Sequence, residues 1–384
     1  MEKINLVKDT INDNNIKDLI EWLGTNPKLT KGDVTIDFEK KWSDWLGVKY
    51  SVFLNSGSSA NLAMIYSLII SKKLKNKKII VPAVSWVTTV APAIQLGLEP
   101  IMCDCDKDNL GLDIEHFKKL IAEHNPSSAI IVHVLGVPNH MDEIIQLCKE
   151  NDIHLLEDTC ESVGSKLDNK YLGTFGDMSS FSFYYGHHLS TIEGGMVCTN
   201  DEDFYHLLLS IRSHGWDRDL PDHKKTELRQ KHNISDFKSL YTFYYPGFNL
   251  RCTDLQAFIG IKQMDSIDTV INNRKKNFDL YNKLLKNNIW KINPPNNSFV
   301  SNFAYPLITE KIDELVIELQ NNNIECRPLI CGSMNEQPFW YNIYGSNNLP
   351  NAKKVHEFGL YLPNHHDLTE KEIIYITDIV NKTL

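Results

Sequence analysis

No stretch of this 384-residue chain stays apolar long enough to span a bilayer. The most apolar one, Ile79 to Ile94, is broken by Pro82, Ser85, Thr88, Thr89 and Pro92, and the opening MEKINLVKDTINDNN lacks the apolar centre of a secretion signal. Neither a membrane span nor export is expected, so the expected location is cytoplasmic. Cysteine is sparse, eight residues without a CxxC pair, which argues against a disulfide framework and for reduced thiols. Runs of one charge are missing too. The 40 basic and 49 acidic residues, net −9, are interspersed, which excludes the basic footprint of a nucleic-acid binder or of a protein drawn to anionic membranes. Internal repeats are also absent, and the Asn-rich patches read as solvated loops. What is present is an ordinary globular composition, 42% hydrophobic and 23% charged, in a chain long enough for two domains.

Apolar spacing predicts helical segments over residues 13–50, with Ile16, Leu19, Ile20 and Leu23, then Phe38, Trp42 and Trp45, as packing residues. A strand, Ser51 to Leu54, then runs through Asn55-Ser-Gly-Ser-Ser into a helix. Unpaired backbone N–H groups and the helix dipole both point at such a turn, so Gly57 and Ser58 are candidates for a phosphate, beside the plainer reading of an N-cap. Ile79 to Val84 and Ala129 to Leu135 read as buried strands. Trp86 follows the first of them, at the strand end where α/β folds present ligand contacts, although core packing would also suit a Trp. Asp104-x-Asp106-x-Asp108 with Glu115 imitates a calcium loop, but Asn109 replaces the glycine of its sharp turn, which favours an ordinary acidic loop. His154 to Asp158 is a strand ending in two carboxylates. Asp201 to His214 reads as a helix ended by Gly215, and the polar stretch Asp219 to Asp236, without an apolar face, as a long surface loop. A helical pattern covers Leu255 to Leu285. Beyond it, Phe303 to Ile308, a helix over Ile312 to Leu319, Ile324 to Pro328 and a last helix from Glu370 suggest a small α/β domain, giving domains 1–265 and 266–384.

The functional reading is organised by Phe181 to Val197, FSFYYGHHLSTIEGGMV. Together with the anion turn, Trp86, Asp158 and Tyr245-Pro-Gly-Phe-Asn249-Leu-Arg251, in that family's order, it resembles the DegT/DnrJ/StrS sugar aminotransferases over nearly the whole chain. Their segment reads roughly Ser-Phe-x-x-x-Lys-x-x-x-x-x-Glu-Gly-Gly, and the lysine binds pyridoxal phosphate (PLP) covalently. Here Ser182, Glu193, Gly194 and Gly195 keep the spacing and His187 stands at the lysine position. The resemblance implies an α/β fold of the aspartate-aminotransferase-like type (fold type I), with a mixed, mostly parallel sheet in the large domain and a small C-terminal α/β domain. It implies that Gly57, Ser58 and Ser182 hold the cofactor, that Trp86 stacks on its ring and that Asp158 keeps the ring nitrogen protonated. Glu161, where many members have Gln, would reach the cofactor's 3-hydroxyl, and Asn249 the cofactor phosphate of the neighbouring subunit in a homodimer. His214, Arg218 and Arg327 would lie near the substrate.

Imidazole forms no Schiff base, so PLP and its amine form, pyridoxamine phosphate (PMP), would be held non-covalently, unless Lys166 or Lys170 moved in. By resemblance, this change moves the expected chemistry from transamination to dehydration. The expected reaction removes the 3-hydroxyl of a nucleotide-linked 4-keto-6-deoxyhexose, GDP-4-keto-6-deoxy-D-mannose above others, with L-glutamate as amino donor. Two alternatives stay open: an aminotransferase giving an amino sugar, and a relative that only binds a sugar nucleotide. His188 is the rival for the catalytic role of His187. No carboxylate or cysteine stands at helical or hairpin spacing to this histidine pair, so no metal site is expected. An iron–sulfur cluster, which one related dehydratase group carries, is not expected either, because Cys252 has no close cysteine neighbours and Cys103-x-Cys105 lies far upstream.

Overall fold

A computed structural model describes residues 2–384. Its strands are β1 (Tyr50–Leu54), β2 (Lys78–Pro82), β3 (Glu99–Cys103), β4 (Ser128–Val132) and β5 (His154–Asp158), a short hairpin of β6 (Lys166–Leu167) and β7 (Lys170–Tyr171), then β8 (Met178–Ser182), β9 (Gly195–Thr199), β10 (Ser298–Phe299), β11 (Tyr305–Ile308), β12 (Arg327–Pro328) and β13 (Gly359–Leu362). The seven-stranded central sheet runs β1-β9-β8-β5-β4-β2-β3. Pairings from β8 through β5, β4 and β2 to β3 are parallel, and β9 is antiparallel to both β8 and β1. All five residues of β4 and of β8 are buried, as expected where helices cover both faces of a parallel sheet. The α/β class and the mixed, mostly parallel sheet agree with the sequence reading. A second sheet, β11-β13-β12, is antiparallel and packs with the Pro350–Phe358 helix in the C-terminal part, where the Ile312–Asn321 and Glu370–Thr383 helices pack on each other.

Several local expectations need correction. The strand expected to reach Leu135 stops at Val132, because Leu135 takes φ 52 and turns its N–H towards Glu161. The stretch expected as a surface loop contains a helix, Asp222–His232, of which only Leu228 is buried. It is laced instead by ion pairs, Lys225–Asp222 at 3.2 Å, Lys224–Glu227 at 2.8 Å and Arg229–Asp217 at 2.9 Å. Ile16, Ile20 and Leu23 do not pack inside; they are 45%, 64% and 38% exposed. Their helix, Asp13–Gly24, docks through its other face, where Trp22 stacks on Phe258 and Asn15 accepts from Gln263. The helical pattern around residue 265 is two helices, Asp254–Met264 and Ile267–Leu284. β13, the middle strand of the small sheet, was not anticipated at all: it follows the Pro350–Phe358 helix without a spacer. The carboxylates of the calcium-like loop serve backbone groups, Asp104 accepting from Cys105, Asn351 and Ala352, and Asp106 from Asp108 and Asn109.

Candidate active site

Asp158 ends β5 at the C-terminal edge of the parallel strands and is 3% exposed. Its Oδ2 accepts from Asn61 Nδ2 at 2.8 Å and Thr89 Oγ1 at 2.7 Å, and its Oδ1 from the Cys160 N–H at 3.1 Å. Asn61 is fixed in turn by the Ser180 hydroxyl, which donates to its Oδ1 at 2.6 Å. A buried carboxylate held by three donors this way is fixed in orientation. Sequence reasoning missed Asn61 and Ser180, and noted Thr89 only as a polar break in an apolar stretch.

Beside it lies the start of the Gly57–Ile70 helix, with Ser56 as N-cap accepting from Ser59 N–H. The Gly57 and Ser58 N–H groups, in the first helical turn, have no protein acceptor. Gly57 meets Ser182 so closely that a Cβ there would lie 2.5 Å from the serine Cβ, so only glycine fits. The Ser182 hydroxyl is also without a protein partner. These free donors form a cradle that fits a phosphate. Trp86 is the N-cap residue of the Val87–Gln95 helix, whose Thr89 binds Asp158, and its side chain is 54% exposed, available to cover a flat ring.

His187 follows β8 in a tight turn made by Gly186 at φ 86, with its own N–H donating to the Tyr184 carbonyl. Its Nδ1 lies 2.8 Å from the Cys160 carbonyl oxygen, which can only accept, so Nδ1 carries the proton. Nε2 is left as a lone pair without a protein partner. Burial pushes the imidazole down to about 4; the Cys160 carbonyl opposes this and the Arg274 charge adds to it. His188 is directed elsewhere: it is 1% exposed, its Nε2 donates to the Ser301 carbonyl at 2.9 Å, and its Nδ1 is buried without a partner. Glu161 accepts from the Leu135 N–H at 2.9 Å. Burial raises its carboxyl to about 8, against the pull of that N–H and with the help of the Asp158 charge. Both His187 and Glu161 keep some surface.

Arg274, unnoticed in the sequence, is 1% exposed and donates to the carbonyls of Phe303, Asn364 and Gly186. It ties the His187 turn to the C-terminal part of the chain. Lys166 and Lys170, the possible substitutes for a cofactor lysine, sit over the rings of Tyr171 and Phe175 at 4.2 Å each.

The remaining candidates fall into other places. Asn249 and Arg218 line a cavity of about 450 Å³ with Lys28, Lys31, Trp216 and Arg251. Arg251 donates to Asn249 Oδ1 at 3.0 Å and approaches His214 Nε2 at 3.5 Å, and Arg218 covers the Trp216 ring at 3.8 Å. The cavity is strongly basic and has none of the Asp158 group in its walls. Arg327, in β12, is paired with Glu325 at 3.3 Å; Tyr361 feels both its charge and that of Glu161, which puts it on the Glu161 side. All eight cysteines are free, and among the described residues no three of them converge. Among those residues no helix is long and apolar enough to cross a membrane.

The comparisons with known proteins point one way. The chain is 37% identical over 357 residues to GDP-4-keto-6-deoxy-D-mannose 3-dehydratase of Yersinia pseudotuberculosis, covering 89% of this chain and 90% of that one. Among solved structures, the E. coli GDP-4-keto-6-deoxy-D-mannose-3-dehydratase with bound hydrated PLP superposes with a TM-score of 0.90 at 34% identity, over 99% of each chain. A GDP-4-keto-6-deoxymannose-3-dehydratase with a trapped PLP–glutamate geminal diamine gives 0.89 at 34% identity, over 98% of this chain and 99% of the other. With the family model matching residues 10–381, this chain belongs to the DegT/DnrJ/EryC1/StrS aminotransferase family.

Proposed function

We propose that this protein removes the 3-hydroxyl of a nucleotide-linked 4-keto-6-deoxyhexose, GDP-4-keto-6-deoxy-D-mannose first, using L-glutamate and non-covalently held PLP. The products are the 4-keto-3,6-dideoxy sugar, 2-oxoglutarate and ammonia. The balance closes: the sugar gives up one oxygen atom, and glutamate gains one as it loses ammonia. The observation that carries the reading is His187, an imidazole of fixed tautomer with a free Nε2 where the family has its lysine. The similarity to dehydratases over nearly the full chain supports it.

When bound, PLP supplies an electron sink and, after taking the amino group of glutamate, an amine for the sugar ketone. The chain does the rest. Gly57, Ser58 and Ser182 bind the phosphate, Trp86 covers the ring, and Asp158 keeps the ring nitrogen protonated. Glu161, neutral at working pH, donates a hydrogen bond to the cofactor's 3-hydroxyl. His187 Nε2 takes a proton and returns it to the departing hydroxyl oxygen. Its lowered pKa suits the second task, because an imidazolium that holds its proton weakly gives it up readily.

The chain works as a homodimer. The exposed Ile16, Ile20 and Leu23 supply apolar surface for a second copy, and Asn249, in a cavity whose walls include none of the Asp158 group, serves the cofactor phosphate of the other subunit. His214, Arg218 and Arg327 take the substrate, Arg218 from the basic cavity, which suits the diphosphate of a sugar nucleotide, and His214 from beside Arg251. The cytoplasm, where free thiols stay reduced, is its place. Incubation with PLP, glutamate and a panel of 4-keto-6-deoxy nucleotide sugars, read by mass, tests the reading. A deoxy ketosugar is expected; an amino sugar would make the protein an aminotransferase, and unchanged sugar throughout would make it a binder.

A further inference from the structure

Away from this site, Glu202 and His206 lie one helical turn apart on the Glu202–Arg212 helix, and His223 is in the first turn of the Asp222–His232 helix. Their ligand atoms all lie within 4.8 Å of one another, the one such grouping of three among the described residues. His206 is 6% exposed, yet neither ring nitrogen has a hydrogen-bond partner. Both ring nitrogens are therefore open to a ligand from outside the chain. The His206 and His223 rings meet edge-on, 6.0 Å between centroids. Lys224, the nearest competing cation, is occupied by Glu227 at 2.8 Å.

The Asp222–His232 helix is held by ion pairs such as Arg229–Asp217, and a metal would add a second anchor near its start. With Leu228 alone buried, it has no apolar stripe to hold it down. We propose that Glu202, His206 and His223 form a zinc-type site that staples this helix to the Glu202–Arg212 helix and thereby fixes residues 213–221 between them, which carry His214, Trp216 and Arg218. Two imidazoles and a carboxylate make a three-ligand set of the kind zinc takes, with the fourth position left to water. In a tetrahedral site with zinc–ligand bonds of about 2.0–2.1 Å, donors are about 3.3 Å apart. Glu202 and His223 are exposed, so their side chains have room to turn and close the difference, Glu202 by leaving the Tyr50 hydroxyl.

The test uses the full chain stripped with EDTA and titrated with zinc chloride by calorimetry. One site per chain is expected, with a rise in melting temperature and slower proteolysis within residues 219–236. His223→Ala, at an exposed position, should melt like the native chain in EDTA but bind zinc at least about tenfold more weakly, since even outer partners of a metal ligand are worth ~10–100-fold. Glu202→Gln should weaken binding in the same direction, and binding should fade as pH drops through histidine protonation. Zinc held equally by the native chain and both variants, or no binding by the native chain, overturns the proposal.

Discussion

His187 and Cys160 are joined by a 2.8 Å hydrogen bond from the ring Nδ1–H to the backbone carbonyl oxygen. Because Cys160 follows Asp158 by two residues, the turn that positions the buried carboxylate also sets the tautomer of the imidazole. One short loop thus sets a buried carboxylate beside an imidazole with a free lone pair, the pair that the proposed dehydration would use.

His187→Asn should lower dehydration by about 10²–10⁴, the usual worth of one positioned acid–base group. PLP binding, followed by absorbance, should persist. His188→Leu should act on stability instead, because the Ser301 carbonyl loses its donor in a buried place, a cost of ~1–3 kcal/mol. Unchanged turnover in the first variant and its loss in the second would give the base to His188.

Borohydride should leave no phosphopyridoxyl group on the native chain, since Lys166 and Lys170 are engaged over Tyr171 and Phe175. His187→Lys should be trapped at residue 187 and lose dehydration. Mass spectrometry of peptides after reduction decides, and an adduct on any lysine of the native protein would contradict non-covalent binding.

Glu161 makes stability depend on pH. Its folded pKa of about 8 lies above the unfolded carboxyl value of ~4.3, so between these the folded state keeps a proton that the unfolded state has lost. This contribution is fully present below the lower value and is lost as pH rises towards the upper. The melting temperature of the cofactor-free protein should therefore fall more steeply across that window than that of Glu161→Gln. Parallel curves for the two would mean that Glu161 is ionised in the folded protein.

Sharing of the site between subunits can be read by complementation. Asn249→Ala and His187→Asn chains, each with little activity alone, should regain about a quarter of native activity when unfolded and refolded together in equal amounts, because half the dimers are mixed and each has one intact site. No recovery in mixed dimers would place both residues in the same subunit's site.

What the sequence revealed depended on how local the signal was. The turn at Gly57 was legible because strand, glycine turn and helix start are contiguous, and the place of Asp158 because it ends a strand of apolar residues. His187 stood out through spacing to Ser182 and Glu193. Asn61, Ser180 and Arg274 gave no signal, since an Asn, a Ser or an Arg inside regular structure acquires its role only from contacts distant in the chain. The Asp222–His232 helix was missed for a related reason: ion pairs, not apolar periodicity, mark it.

The most direct test of the central claim follows the nitrogen. The native protein is given PLP, GDP-4-keto-6-deoxy-D-mannose and glutamate carrying a nitrogen label, and label is measured in free ammonia and in the sugar nucleotide. Dehydration predicts label in ammonia, matched by 2-oxoglutarate, and a label-free sugar lighter by one oxygen atom. Label retained in a sugar of unchanged carbon skeleton, with no ammonia released, would contradict it and make the enzyme an aminotransferase.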